Sequence, residues 1–176
     1  MDRLTFAWLV FGCGTLHLSD SPETPTGAPS VQEQPLGSTT MSFELNSMSM
    51  EEIKANREVL GERLVSDSDP KRRADIAAAL GYTAHDELSI PAISHALSVE
   101  QDPTVQLRLV AVLLGFRPVE ALDAVVLFAL GDVDPSIRDD VLSGLQGASP
   151  TMVASLLDVH AAQFPEQASV LRETLW

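Results

Sequence analysis

An Asp-Pro pair recurs three times along the chain, and its spacing leaves few choices of fold. The pairs Asp69-Pro70, Asp102-Pro103 and Asp134-Pro135 lie 33 and 32 residues apart. Aspartate is a favoured helix N-cap because its carboxylate accepts free backbone N–H groups, and proline loses no hydrogen bond at the first helical position. Each pair therefore predicts the start of an α-helix, with Asp69, Asp102 and Asp134 as structural caps.

The residues that follow each pair repeat as well. Positions six, seven and ten after each proline are apolar, which is one face of an α-helix. These positions hold Ile76, Ala77 and Leu80, then Leu109, Val110 and Leu113, then Val141, Leu142 and Leu145. A glycine closes each segment, at Gly81, Gly115 and Gly147. We expect these glycines in the left-handed conformation that commonly ends a helix.

Another apolar-periodic segment precedes each of these helices, at 51–64, 90–97 and 119–130. Ser49 and Glu52 have the spacing of a capping box at the first of them. A fourth, degenerate pair follows at 151–163 and 166–176. A helical pair that cannot bury its own apolar face must stack on its neighbours. Residues 47–176 are therefore predicted to form an all-α solenoid of about four helical pairs.

The segment Ile-Pro-Ala-Ile-Ser-His-Ala-Leu at 90–97, followed by Asp-Pro and a helix ending in Leu-Leu-Gly, resembles the HEAT repeat family in its short bacterial form. The resemblance covers residues 50–148. It implies a ladder between repeats that pairs the three Asp-Pro aspartates with Arg73 and Arg138. Gln106 stands at the matching position of the second repeat, where Arg108 is the nearest alternative.

The HEAT resemblance also implies that the second helix of each pair lines the concave side. Positions one and five after each proline lie away from the core stripe on these helices. We therefore expect the partner contacts at Lys71, Asp75, Thr104, Arg108, Ser136 and Asp140.

The charge of the chain indicates the kind of partner. The net charge is −14, and residues 87–176 hold 12 acids against 4 bases. Nucleic-acid binding needs clustered Lys and Arg, so this balance argues against it. The expected partner is a protein with a basic surface, bound in a way that salt weakens.

The N-terminal segment predicts where in the cell the protein is located. Residues 1–13 combine Arg3 with an apolar run, and Val-Phe-Gly-Cys at 10–13 resembles a bacterial lipobox. The resemblance implies lipidation of Cys13, anchoring in the bacterial cell envelope and, because Gly14 follows, a preference for the outer membrane. Residues 14–46 are rich in Pro, Ser, Thr and Gly and are expected to be a disordered linker. Two alternatives stay open: an ordinary signal or anchor, and a cytoplasmic chain whose translation starts at Met41.

No residue pattern points to catalysis, a cofactor or a metal. The four histidines lack the spacing of metal ligands, and no nucleophile elbow or phosphate-binding glycine loop occurs. The expected function is a non-catalytic protein-protein interaction scaffold. One alternative is a small-ligand role like that of HEAT-like bilin lyases, with a hydrophobic chromophore in the concave groove. Another is DNA binding like that of HEAT-like DNA glycosylases, which the charge disfavours.

Overall fold

A computed structural model describes residues 45–82 and 87–176 of the chain. Within these ranges the protein is all-α and contains no strand, as predicted. Short 3₁₀ turns lie at Leu45–Ser47 and Glu87–Ser89. The α-helices are α1 (Met50–Ala55), α2 (Arg57–Ser66), α3 (Pro70–Tyr82), α4 (Ile90–Val99), α5 (Pro103–Leu114), α6 (Val119–Leu130), α7 (Arg138–Gly147), α8 (Pro150–His160) and α9 (Pro165–Leu175). The predicted signal segment 1–13, which contains Cys13, and residues 14–44 of the predicted linker 14–46 lie outside the described residues.

The helices of residues 45–176 stack in two layers. Helices α2, α4, α6 and α8 pack in succession in one layer, and α3, α5, α7 and α9 do so in the other. The two helices of each consecutive pair, such as α4 and α5, also contact each other. This is the solenoid arrangement of four helical pairs that the repeat predicts, with α1 added before the first pair.

The predicted apolar stripe forms the core between the layers. Ile76, Leu109 and Val141 are buried in three successive helices of the second layer. Ile53 and Leu175, near the two ends of the described chain, are buried as well. Each fully buried aliphatic side chain of this kind contributes about 1.5–3 kcal/mol. Leu142 is the exception, because it is only half-buried against the core.

Polar caps begin three of the helices as the sequence predicts. The capping box is present: Glu52 N–H donates to Ser49 Oγ at 3.3 Å, and Ser49 N–H donates to Glu52 Oε2 at 2.7 Å. Hydrogen bonds from the Ser49 backbone and side chain lower the pKa of Glu52. Asp102 Oδ1 accepts from the N–H groups of Thr104 and Val105, and Asp69 Oδ1 accepts from Lys71 N–H at 3.0 Å.

The predicted start of the third repeat helix at Pro135 is wrong. Residues 135–137 form a turn, and α7 begins at Arg138. Asp134 Oδ1 accepts from both the N–H and the hydroxyl of Ser136, at 2.8 and 2.6 Å. Ile137 N–H donates to the Asp134 carbonyl at 3.1 Å and closes the turn. Asp134 therefore caps a turn that leads into the helix. The predicted helix 51–64 also differs, because Asn56 divides it into α1 and α2.

The expected left-handed glycines at the helix ends are wrong. Gly81 lies inside α3, Gly147 is the last residue of α7, and Gly115 has a φ of −76°. Gly81 instead permits the close packing of α3 on α5, since a Cβ there would lie 2.8 Å from Val112 Cγ1. Gly144 plays the same part between α7 and α5, where an added Cβ would lie 2.6 Å from Leu114 Cδ1.

Candidate functional site

The six predicted contact residues lie at the surface of the second layer. All six are exposed: Lys71 and Asp75 on α3, Thr104 and Arg108 on α5, Ser136 in the turn before α7, and Asp140 on α7. Of these six side chains, that of Ser136 contributes a hydrogen bond to the fold, because its hydroxyl donates to Asp134 Oδ1. Positions one and five after each proline therefore lie at accessible places on α3, on α5 and on α7 with its preceding turn.

A half-hidden ion pair links the first helical pair to the second. Arg73 Nε donates to Glu100 Oε2 at 2.7 Å, and its NH2 group donates to Glu100 Oε1 at 2.8 Å. Arg73 NH1 also donates to the Asp67 carbonyl oxygen at 2.8 Å. The two side chains are 14% and 6% exposed, so the pair is shielded from water. Two parallel hydrogen bonds between an arginine and a carboxylate fix the relative orientation of the two side chains and strengthen the ion pair.

The ion pair shifts the pKa of both side chains. The hydrogen bond to Glu100 raises the pKa of Arg73 against the opposing effect of burial. Burial favours the neutral form of Glu100, but hydrogen bonds from Arg73 and from the backbone of Asp102 and Gln101 outweigh it and lower the pKa of Glu100. Glu100 is therefore held as a carboxylate.

The predicted aspartate ladder is replaced by this contact. Arg73 reaches Glu100 of the next repeat rather than an Asp-Pro aspartate. Asp69 forms an exposed ion pair with Arg72, whose Nε lies 3.5 Å from Asp69 Oδ2. Arg138 NH2 donates to the Val133 carbonyl at 3.2 Å. Sequence reasoning missed Glu100, although an acid stands two places before each Asp-Pro pair.

A groove of 580 Å³ runs between α4 and α6 in the first layer. Its apolar wall consists of Leu97, Ala124, Leu127 and Phe128. Its polar side chains are Ser94, Ser98, Glu100, Gln106, Glu120, Asp123 and Asp132. This volume lies within the range of protein ligand pockets. The groove was not predicted, because it lies between first helices, whereas the expected contacts lie on second helices.

The groove offers hydrogen-bond acceptors in excess of donors. Among the described residues that line it, none is a lysine, an arginine or a histidine. Gln106 Oε1 and Ser94 Oγ are buried atoms without a hydrogen-bond partner in the described part of the chain. Asp123 is partly engaged, since its Oδ1 lies 2.7 Å from His160 Nε2 of α8. The accessible carboxylates of Glu120, Asp123 and Asp132 therefore give the site the chemistry to receive a cationic group that donates several N–H bonds.

Two further depressions lie at the ends of the stack. A groove of 680 Å³ between α2 and α4 is lined by Gly61, Val65, Leu88, Pro91 and His95 among others. A cavity of 330 Å³ lies among α6, α7 and α9, with Val141, Leu142, Val170 and Leu171 on its apolar wall and Arg138 and Glu166 as its charged members.

Residues 45–82 and 87–176 contain no group of three or more His, Cys, Asp or Glu side chains that could hold a metal ion. Among the helices of the same two ranges, none is both long enough and apolar enough to span a membrane. Comparisons of the chain with protein-family models, with curated proteins and with solved structures found no match.

Proposed function

We propose that this chain is a non-catalytic protein-interaction module of the HEAT-repeat kind. The observation that carries the proposal is the two-layer stack, which leaves open grooves between successive helices of its first layer. The α4–α6 groove combines an apolar wall with a polar rim. Protein interfaces have this composition, with an apolar centre surrounded by polar groups.

A partner with a basic surface fits the charge of the module. The described groove acids Glu120, Asp123 and Asp132 belong to a C-terminal half in which acids outnumber bases 12 to 4. Opposite charges at the rim of an interface mainly speed association and are screened by salt. We therefore expect the complex to form at low salt and to weaken as the salt concentration rises.

Site-specific photo-crosslinking tests the interaction role. A photoreactive residue is placed at Leu127 in the groove of the full chain, and in a second variant at Arg108 on the exposed face of α5. Both positions are exposed, so neither replacement disturbs the core. The proposal predicts a discrete protein adduct from at least one position in the native cell. If neither position yields an adduct, the interaction role fails. Retention of the partner unchanged in high salt would contradict the electrostatic part alone.

We further propose that Cys13 tethers the module to the cell envelope through lipid. The support is the lipobox-like Val-Phe-Gly-Cys at 10–13. Each buried methylene of an acyl chain contributes about 0.8 kcal/mol to membrane binding. Metabolic labelling with a fatty-acid analogue is expected to mark the full chain and to fail with the Cys13→Ala variant. Equal labelling of both chains, or of neither, would contradict the tether.

A small-ligand role is a second candidate, favoured by the cavity among α6, α7 and α9. Its 330 Å³ lies at the lower end of ligand-pocket volumes, and its wall is mostly apolar. This role resembles that of chromophore-binding HEAT proteins. Screening the full chain against hydrophobic pigments is expected to produce an absorbance shift that the Val170→Trp variant reduces by filling the cavity, because Val170 lines the cavity and is exposed. No shift with any pigment would dismiss this candidate.

A further inference from the structure

The first two junctions between helical pairs differ at one equivalent position. Four places after the aspartate of each Asp-Pro pair stands Arg73 in the first repeat and Gln106 in the second. Both side chains close the loop before their own helix, because Arg73 donates to the Asp67 carbonyl and Gln106 Nε2 donates to the Glu100 carbonyl, each at 2.8 Å. Gln106 is therefore the structural counterpart of Arg73.

The acids that precede the second and third Asp-Pro pairs stand at equivalent sequence positions. Glu100 stands two places before Asp102 in the second repeat, and Asp132 stands two places before Asp134 in the third. At the first junction the guanidinium of Arg73 binds Glu100 through two hydrogen bonds. At the second junction the neutral amide of Gln106 supplies no such cation. Asp132 is exposed and makes no hydrogen bond or ion pair with another described residue.

Gln106 and Asp132 both line the α4–α6 groove. Gln106 Oε1 is buried there without a hydrogen-bond partner among the described residues. Glu120 and Asp123 add negative charge to the same groove. The groove thus carries the acid that stands at the same place in the repeat as Glu100, without the arginine that pairs with Glu100 at the first junction.

We propose that the α4–α6 groove binds an arginine side chain presented by a partner protein. This inference rests on the proposed interaction role. A guanidinium carries five N–H donors in a planar fork, which suits two-point pairing with the exposed carboxylate of Asp132. The arginine stem and apolar neighbours pack on Leu97, Leu127 and Phe128. Lysine fits less well because its ammonium cannot pair with a carboxylate in this two-point way.

The N-terminal segment of the same chain is too acidic to be the arginine-bearing segment that occupies the groove. Residues 1–44 carry Asp2, Asp20, Glu23, Glu33 and Glu44 against the single base Arg3. Charge complementarity with the groove therefore favours a second, basic protein.

A titration of the full chain with a defined peptide tests the arginine site. The probe is acetyl-Gly-Leu-Arg-Leu-Gly-amide, followed by amide chemical shifts in NMR spectra, with lysine and citrulline peptides for comparison. Only the arginine peptide is expected to shift signals of α4 and α6 at low millimolar concentration. Asp132→Asn is expected to weaken binding about tenfold or more, since it removes a charge-assisted pair. The matched control Asp139→Asn, which changes an exposed aspartate outside the groove, is expected to bind as the natural chain does.

The variant Gln106→Arg provides an independent test. It places an arginine on the chain itself, where it competes with the peptide for Asp132 and is expected to abolish binding. Equal binding of the citrulline or lysine peptide would overturn the assignment, and so would undiminished binding to Asp132→Asn. A partner adduct at Leu127 that persists with Asp132→Asn would overturn the arginine site and leave the interaction role intact.

Discussion

Replacing Arg73 with methionine tests the link between the first two helical pairs. Methionine keeps the length and much of the apolar stem of arginine, and it removes the guanidinium. The change deletes two hydrogen bonds to Glu100 and one to the Asp67 carbonyl. It also leaves the Glu100 carboxylate, which is 6% exposed, without its cation.

The expected cost follows from these contacts. Removing one partner of a fully buried ion pair costs about 3–5 kcal/mol. Glu100 keeps two donors, the N–H groups of Gln101 and Asp102, each at 2.9 Å. Arg73 also borders water, with 14% of its side chain exposed. We therefore expect Arg73→Met to lower the free energy of unfolding by about 2–3 kcal/mol, below the fully buried case.

Urea denaturation of the full chain, followed by circular dichroism at the helical band, measures this loss. The matched control is Arg72→Met, because Arg72 is 69% exposed and its ion pairs with Asp67 and Asp69 are long. Exposed pairs contribute about 0–1 kcal/mol, so the control is expected to change stability little. A loss below about 0.5 kcal/mol for Arg73→Met, or equal losses for the two variants, would refute the reasoning.

Three further predictions concern packing and pH. Gly81→Ala is expected to destabilise the chain by about 1–2 kcal/mol, because the added Cβ would lie 2.8 Å from the stiff side chain of Val112. The control Gly147→Ala has open space around the added Cβ and is expected to be neutral or stabilising. Equal effects of the two variants on thermal unfolding would contradict this prediction. Leu109→Ala is expected to cost about 2–5 kcal/mol in urea denaturation, because the side chain is fully buried, and a cost near zero would place it outside the core. Because the pKa of Glu100 is lowered, its contribution to the free energy of unfolding is present above the carboxyl's ordinary pKa of 4.5 and is lost as the pH falls through the lower pKa of the folded state. The Glu100→Gln variant should therefore lose less stability on acidification than the natural chain. Parallel plots of stability against pH for the two chains would contradict this prediction.

Local signals account for most of what the sequence predicts correctly. Pro70 and Pro103 begin helices because each follows an aspartate whose carboxylate accepts the first backbone N–H groups. The third Asp-Pro pair has the same local signal and a different outcome. Ser136 offers its N–H and its hydroxyl to Asp134, and this competing turn delays the helix to Arg138.

Features that depend on neighbouring repeats could not be predicted from local patterns. Gly81 is placed where a helix-ending glycine would stand, but its small size serves the contact with Val112 in the adjacent helix. Glu100 is 27 residues from Arg73 in the chain, and only the stacking of the pairs brings them together. The α4–α6 groove likewise exists only once those two helices lie side by side.

The register in which successive helical pairs stack underlies the groove, the ion pair and the proposed interaction role. Nuclear Overhauser measurements on the full chain test this register most directly. The structure predicts cross-peaks between the Gly81 α-protons and the Val112 methyl groups, and between the Gly61 α-protons and the Ala92 methyl group. Helical signals without these cross-peaks, or with cross-peaks that join α3 to a helix other than its neighbours, would contradict the stacked arrangement.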